Sequence, residues 1–226
     1  MKHLLSNIKV NVNNQVFNKD PESSELGKKI IEHSIILIHE IGFDAFTFKK
    51  LGEHIGSNES SIYRYFDNKH KLLIYLTSWY WAWIEYQLLL NTNSISNPFE
   101  KLKRGLEVVA QENVMDFGFQ HINEILLHQI IISESSKSYL TKEVDAENKE
   151  GYFMIYKRLV KRIGDMISEV DPNYIYPQSL ASTAVESVLH QQFLKQHFLS
   201  ITNCNDDVSP LQFVTDLVVN NLNPVK

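Results

Sequence analysis

The stretch that decides the fold lies between residues 47 and 66. It reads Thr47-Phe48-Lys49-Lys50-Leu51-Gly52-Glu53-His54-Ile55-Gly56-Ser57-Asn58-Glu59-Ser60-Ser61-Ile62-Tyr63-Arg64-Tyr65-Phe66. Gly52 and Gly56 stand four residues apart, where two short helices need a small residue for close approach and a glycine for the bend. The apolar faces of the two helices are supplied by Leu51, Ile55, Ile62 and Phe66. This pattern predicts a helix-turn-helix, whose second helix has the size to enter a DNA major groove.

Helix signals continue on both sides of this unit. Asp20-Pro21-Glu22 combines an N-cap, a first-turn proline and a carboxylate, so a helix is predicted to begin here and to stop at Gly42. Thr47 is predicted to cap a helix over 48–55, and Asn58 a helix over 59–66. Asp67 or Asn68 is predicted to cap a longer helix that ends at about residue 90. Further helices are predicted from residue 98 and at about 122–134, 142–170 with a break near Gly151, 177–199 and 210–222. The expected fold class is all-α.

Composition and charge narrow the class of protein. The chain has 226 residues and only 8 Gly and 6 Pro, which leaves little material for the many turns of a β protein. Its single cysteine, Cys204, cannot form an internal disulfide, and no apolar run is long enough to cross a bilayer. A cytoplasmic protein without a membrane partner is expected. The net charge is −5, yet residues 1–80 hold ten Lys/Arg against nine Asp/Glu, the sign expected for a DNA-facing end.

A set of short motifs runs from about Leu26 to Leu73. A helix ends in Ile41-Gly42-Phe43, and Thr47 is followed by the segment from Leu51 to Gly56. The most specific block is Ser61-Ile62-Tyr63-Arg64-Tyr65-Phe66-Asp67-Asn68-Lys69. On these residues the segment resembles the TetR/AcrR family of transcriptional regulators. Two positions depart from the family pattern: Gly52 stands where Ala is usual, and Ser57 where Val is usual.

The resemblance implies a three-helix DNA-binding domain that contacts a double-stranded operator. The residues it assigns to this contact are Thr47, Lys49, Glu59, Ser60, Ser61, Tyr63, Arg64, Tyr65 and Lys69. Tyr63, Tyr65 and Lys69 match positions that usually grip the DNA backbone, whereas Ser60, Ser61 and Arg64 are placed to approach bases or adjacent phosphates. Glu59 has two interpretations, since it is suited to accept from a cytosine amino group and equally to act as a first-turn carboxylate.

The resemblance also implies a C-terminal helical domain with a small-molecule pocket and a homodimer built from the last two helices. The apolar residues suited to this pairing are Val185, Leu189, Phe193, Leu211, Val214, Leu217 and Val218. The expected domains are an N-terminal arm at 1–20, a helix-turn-helix domain at 21–68, and a regulatory and dimerisation domain at 69–226.

Aromatic and titratable residues suggest where an effector binds. The candidate ligand-binding residues are Trp79, Trp83, Tyr86, His121, Glu124 and His128. Ordinary core packing is the alternative for the aromatic residues. The spacing of His121, Glu124 and His128, and that of Glu186, His190 and His197, would suit a metal. No third helix offers partners, so no metal and no cofactor are expected.

The first twenty residues form a separate segment. Ile8, Val10 and Val12 alternate before Asn13-Asn14, which predicts either a marginal β-hairpin or a mobile arm. Lysines in this arm, including Lys19, suggest added DNA contacts. The alternative is that Val10, Val12 and Phe17 dock on the body of the protein.

The sequence lacks the glycine-rich, phosphate-loop and nucleophile-elbow signatures of common enzymes. A non-enzymatic regulator is therefore expected, in the form of a repressor released from its operator by a small, largely apolar ligand. The alternative is a helical small-molecule carrier or protein-interaction module that keeps the helix-turn-helix only for packing.

Overall fold

The computed structural model describes residues 12–111 and 121–222. All the regular secondary structure in these ranges is helical. The first five α-helices are α1 (Glu25–Ala45), α2 (Phe48–Ile55), α3 (Glu59–Tyr63), α4 (Lys69–Thr92) and α5 (Pro98–Ala110). The others are α6 (Glu124–Glu134), α7 (Val144–Lys149), α8 (Met154–Val170), α9 (Pro177–His197) and α10 (Pro210–Val219). The all-α expectation is confirmed. Residues 1–11, which include Ile8 and Val10 of the expected hairpin, lie outside the described ranges.

Several helices begin or end at other residues than the apolar spacing predicted, because capping side chains and glycines set their ends. Asp20 caps a 3-10 turn at Pro21–Ser23, and α1 begins only at Glu25, where Ser24 accepts a hydrogen bond from the backbone of Gly27. The second short helix ends at Tyr63 rather than at Phe66. The helix expected over 142–170 is divided into α7 and α8, because Gly151 adopts a positive φ of 83°.

The chain divides into two compact units. The first is built from Met1–Ala82 and Asn113–Ile155, and the second from Trp83–Glu112 and Tyr156–Lys226. Helices α4 and α8 each contribute residues to both units. The domain boundaries expected from the sequence stay a prediction.

In the first unit, α1 packs against α2 and α6. Ile30, Ile31 and Ile35 on α1 are fully buried. The end of α6 is also tied to the end of α1 by polar contacts: the Phe43 N–H donates to Glu134 Oε1 at 3.2 Å, and Lys137 Nζ to Asp44 Oδ2 at 2.7 Å. Helix α1 is therefore fixed at its far end by residues some ninety positions later in the chain.

In the second unit, α9 and α10 pack against each other and against α5. The buried Glu85 carboxylate of α4 accepts from two arginines of α8, with Arg158 Nε at 2.6 Å and Arg162 Nε at 2.6 Å. Burial raises the pKa of Glu85, but the hydrogen bonds from Arg158 and Arg162 outweigh it, so the pKa lies below its ordinary value. Glu85 is thus an ionised crosslink between α4 and α8.

Candidate nucleic-acid interface

The turn between α2 and α3 depends on two glycines. A Cβ on Gly52 would lie 2.8 Å from the carbonyl oxygen of Ser57, closer than real Cβ atoms approach. The N–H of Ser57 donates back to the Gly52 carbonyl at 2.8 Å. Gly56 ends α2 with φ 66° and ψ 35°, the left-handed conformation that favours glycine. The departure from Ala at position 52 therefore has a direct cause in the close approach of the turn.

Helix α3 presents one face to the core and another to solvent. Ile62 is fully buried, whereas Ser60, Tyr63 and Arg64 are exposed. Asn58 caps the helix, since its Oδ1 accepts from the Ser61 backbone N–H at 2.9 Å. It also accepts from the hydroxyls of Ser60 at 2.8 Å and Ser61 at 2.6 Å. The outward face of α3 is the surface that a helix-turn-helix offers to a major groove.

Other residues expected at DNA lie around this face. Thr47 and Lys49 are exposed at the start of α2, where Thr47 Oγ1 accepts from the Lys50 N–H at 3.2 Å. Glu59 is half-buried and accepts from the Tyr63 hydroxyl at 3.3 Å. Within the described part of the chain, the Lys49 and Arg64 side chains make no hydrogen bond or ion pair. These two cations have the freedom to pair with phosphate.

The structure places Tyr65 and Lys69 differently from the exposed residues. Tyr65 is 3% exposed, and its hydroxyl lies 2.8 Å from Ser24 Oγ. Lys69 Nζ donates to three backbone carbonyl oxygens at the end of α1: those of Phe43 at 2.9 Å, Asp44 at 3.0 Å and Phe46 at 3.1 Å. A lysine near a helix C-terminus satisfies carbonyls that lack an intrahelical donor. Both side chains hold the domain together internally.

The six residues expected to bind a ligand are divided between the two units. Trp79, His121, Glu124 and His128 belong to the first unit, and Trp83 and Tyr86 to the second. Trp79 and Glu124 are buried, and His128 Nδ1 lies 2.8 Å from the Tyr80 hydroxyl. His121 Nε2 lies 2.8 Å from Glu22 Oε1, just before α1. The structure thus places Trp79, Glu124 and His128 in the buried interior of the first unit, with His121 beside the turn that precedes α1.

Two cavities lie within the second unit. One of about 400 Å³ is lined by the α9–α10 connection, including Thr202, Cys204 and Phe213. Another, of about 480 Å³, lies along α9 between Ser182 and Gln191. Neither is lined by the residues expected from the sequence to bind a ligand.

The residues expected at a dimer interface are partly used inside the chain. Val185, Leu189, Val214 and Val218 are buried, whereas Phe193, Leu211 and Leu217 are half-buried. Large apolar side chains not expected from the sequence are exposed nearby, namely Phe198, Ile201 and Phe213, together with Leu199, which belongs to the predicted apolar pattern of this helix. In the sequence, the apolar run directly after α9 has no helical period, and this was the signal that could have indicated an exposed apolar surface.

Across residues 12–111 and 121–222, no three His, Cys, Asp or Glu side chains come together as metal ligands. No helix in these ranges has both the length and the apolar character needed to span a membrane.

Comparisons with known proteins agree with this geometry. The family model described as "Bacterial regulatory proteins, tetR family" matches residues 30–76. No curated protein matches the sequence. The chain's fold is similar to that of AibR, solved in complex with isovaleryl coenzyme A and operator DNA, at 18% identity and a TM-score of 0.54, covering 87% of this chain and 97% of AibR.

Two further structures share the fold. The fatty acid degradation regulator FadR from Bacillus halodurans has 17% identity and a TM-score of 0.57, with 88% of this chain and 95% of FadR covered. The superantigen PfiT has 13% identity and a TM-score of 0.57, with 90% and 98% covered. Residues 30–76, which include α2 and α3, match the tetR family model, and they form a helix-turn-helix within an all-helical fold.

Proposed function

We propose that this protein is a transcriptional repressor that binds operator DNA through α2 and α3 and is released by a small, largely apolar ligand. The observation that carries the proposal is the two-sided α3, whose Ile62 is buried while Ser60, Tyr63 and Arg64 face outward. Such a helix has the arrangement needed to read base edges while its other side is held by the domain. A cytoplasmic location agrees with this role.

Within this interface, Arg64 and Lys49 supply the charge. Each phosphate that such a cation neutralises steepens the salt dependence of binding by about 0.9 in the log-log slope. Ser60 and Ser61 approach bases from the first turn of α3, and Thr47 approaches a phosphate from the start of α2. Tyr65 and Lys69 support this surface from behind, because their polar atoms are bonded within the domain.

The effector is proposed to bind near α4 and α6 in the first unit. Glu124 and His128 lie on successive turns of α6 and are 0% and 6% exposed. A pocket among largely apolar side chains with a few polar groups suits a mainly apolar ligand with one polar end. Since AibR was solved with isovaleryl coenzyme A, acyl coenzyme A thioesters are the first probes to use.

A homodimer completes the proposal. Two-fold pairing would set two recognition helices about 34 Å apart, one turn of DNA. The exposed side chains after α9 and on α10, Phe198 to Ile201 and Phe213, offer an apolar surface for this pairing.

The DNA part is tested by fluorescence anisotropy with the gene's own upstream region over a series of salt concentrations. Arg64→Ala and Lys49→Ala should each weaken binding and flatten the salt slope by about 0.9. Lys142→Ala, which removes an exposed lysine after α6, serves as the matched control and should leave the slope unchanged.

The effector part is tested by titrating isovaleryl coenzyme A against tryptophan fluorescence and against the preformed DNA complex. A true effector changes both signals, and the DNA complex responds at a higher ligand concentration than the free protein, because coupling between two sites is reciprocal. His128→Phe should weaken the ligand response and leave operator affinity intact.

A second candidate is a helical protein-interaction module, favoured by the similarity to the superantigen PfiT. Absence of operator binding by the wild-type protein at every salt concentration would favour this candidate over the repressor.

A further inference from the structure

Residues 12–18, which we term the N-terminal strap, are packed onto the first unit. Val16 is fully buried and Val12 is 9% exposed. Asn13 starts a turn in which its carbonyl accepts from the Val16 N–H at 3.1 Å. The Phe17 ring packs edge-on against Tyr75 with centroids 6.0 Å apart. The strap is therefore an ordered part of the first unit.

One end of the strap lies at the end of the recognition helix α3. The backbone N–H of Asn18 donates to the Tyr65 carbonyl at 2.8 Å. Its side-chain Nδ2 donates to Asp67 Oδ1 at 2.7 Å, with the Tyr63 carbonyl at 3.4 Å. Asn18 thus contacts three residues that follow one another closely at the C-terminal side of α3.

These contacts matter because α3 has only five residues. The last carbonyls of any helix lack an intrahelical donor, and a helix this short has few internal hydrogen bonds to fix its direction. Asn58 holds its first turn and Ile62 its inner face, and Asn18 adds polar contacts at the remaining end, beside the buried Tyr65.

The other end of the strap reaches later parts of the first unit. The Gln15 carbonyl accepts from the Tyr152 hydroxyl at 3.3 Å and from Lys71 Nζ at 3.4 Å. Asn13 Nδ2 donates to the Glu150 carbonyl at 2.9 Å. Lys71 Nζ also pairs with Asp67 Oδ2 at 2.9 Å. The contacts form a closed polar ring that runs from Asp67 through the strap and Lys71 back to Asp67.

We propose that Asn18 is a positioning residue for DNA recognition, and that the strap sets the orientation of α3 by bonding its C-terminal end to α4 and to residues 150–152. Asn18 acts through Tyr63, Tyr65 and Asp67 and does not itself touch DNA. This inference rests on the proposed operator binding.

The test compares the full-length wild type with Asn18→Ala in operator anisotropy at several salt concentrations. Loss of a charge-assisted hydrogen bond at this position should weaken operator binding about tenfold. The salt slope should not change, because no cation is removed. Amide hydrogen exchange over residues 61–66 should become faster in the variant, which reports the loosened helix directly. Asn14→Ala, in the exposed turn of the same strap, is the matched control and should behave as the wild type.

Exchanging the Asn and Asp side chains between positions 18 and 67 distinguishes a positioning role of Asn18 from a direct DNA contact. Asn18→Asp should bind operator more weakly than Asn18→Ala, because a carboxylate then faces Asp67. Adding Asp67→Asn restores a hydrogen-bond donor and an acceptor across this pair. The operator affinity of the double variant should therefore return to within about threefold of that of Asp67→Asn alone.

The outcomes are distinct. Wild-type affinity and exchange in Asn18→Ala would overturn the inference and leave operator binding standing. Failure of Asp67→Asn to rescue Asn18→Asp would also overturn it, because a direct DNA contact by Asn18 gives that result. A wild-type protein that binds no operator removes the proposed function and this inference together.

Discussion

Lys69 allows the role expected from the family pattern to be separated from the role its contacts indicate. In the structure its ammonium group donates to the carbonyls of Phe43, Asp44 and Phe46. Lys69→Met keeps most of the apolar stem and removes the charge and all three hydrogen bonds. As a cap, Lys69 contributes to the stability of the domain; as a phosphate ligand, it contributes to the salt dependence of DNA binding.

The size of the effect follows from the environment of the three carbonyls. Hydrogen bonds to a charged group contribute about 1.5–3 kcal/mol, and one ammonium is shared among the three acceptors. Asp44 is exposed, so water replaces part of the loss, whereas Phe43 and Phe46 are buried. We expect Lys69→Met to lower the free energy of unfolding by about 2 kcal/mol, equivalent to about 4–8 °C in Tm for a chain of this size.

The assay pairs thermal unfolding with operator anisotropy over a salt series, and Lys49→Met is the control. Lys49 has no partner among the described residues, so its variant should keep the wild-type Tm and lose about 0.9 in salt slope. Lys69→Met should show the reverse pattern. An unchanged Tm together with a flatter slope for Lys69→Met would refute the capping argument.

Three further predictions concern other parts of the fold. Gly42→Ala should lower the free energy of unfolding by about 2 kcal/mol, since φ 75° and ψ 157° are nearly exclusive to glycine. Gly56→Ala lies in the left-handed helical region and should lower it by about 1 kcal/mol. Equal losses of the two variants in chemical unfolding would contradict this order. Gly52→Ala should reduce both Tm and operator affinity, because the added Cβ meets the Ser57 carbonyl at 2.8 Å; tighter DNA binding by this variant would be the contrary result. Glu85→Gln should cost about 2 kcal/mol at neutral pH. Because the folded-state pKa of Glu85 is lowered, its contribution is present above the ordinary value of about 4.3 and is lost as the pH falls further, so the stabilities of wild type and variant should converge in acid; a constant difference from pH about 6 to about 3 would count against the ion pair.

The sequence predicted helices well where a cap residue and apolar spacing agree. Asn58 is found capping α3 and Gly56 ending α2, because the local chemistry of caps and left-handed turns depends on nearby residues alone. The break near Gly151 was also predicted from the sequence, and in the structure this glycine adopts a positive φ.

Roles that depend on distant contacts could not be obtained in this way. Asn18 lies in a polar segment that resembles any surface arm, and its partners are more than forty residues away. Lys69 fits the family motif, but the end of α1 that it caps lies 23 to 26 residues earlier. In both cases the residue type was known, and only the tertiary fold shows which acceptor it faces.

If α3 binds DNA as proposed, its short length has a consequence for the evolution of the protein. The side chains that hold α3 in place, Asn58 and Ile62 among them, are different from the outward-facing Arg64. Under the proposed function, substitution of an exposed side chain without internal bonds, such as Arg64, alters the DNA-facing surface while the side chains that hold α3 in place stay unchanged.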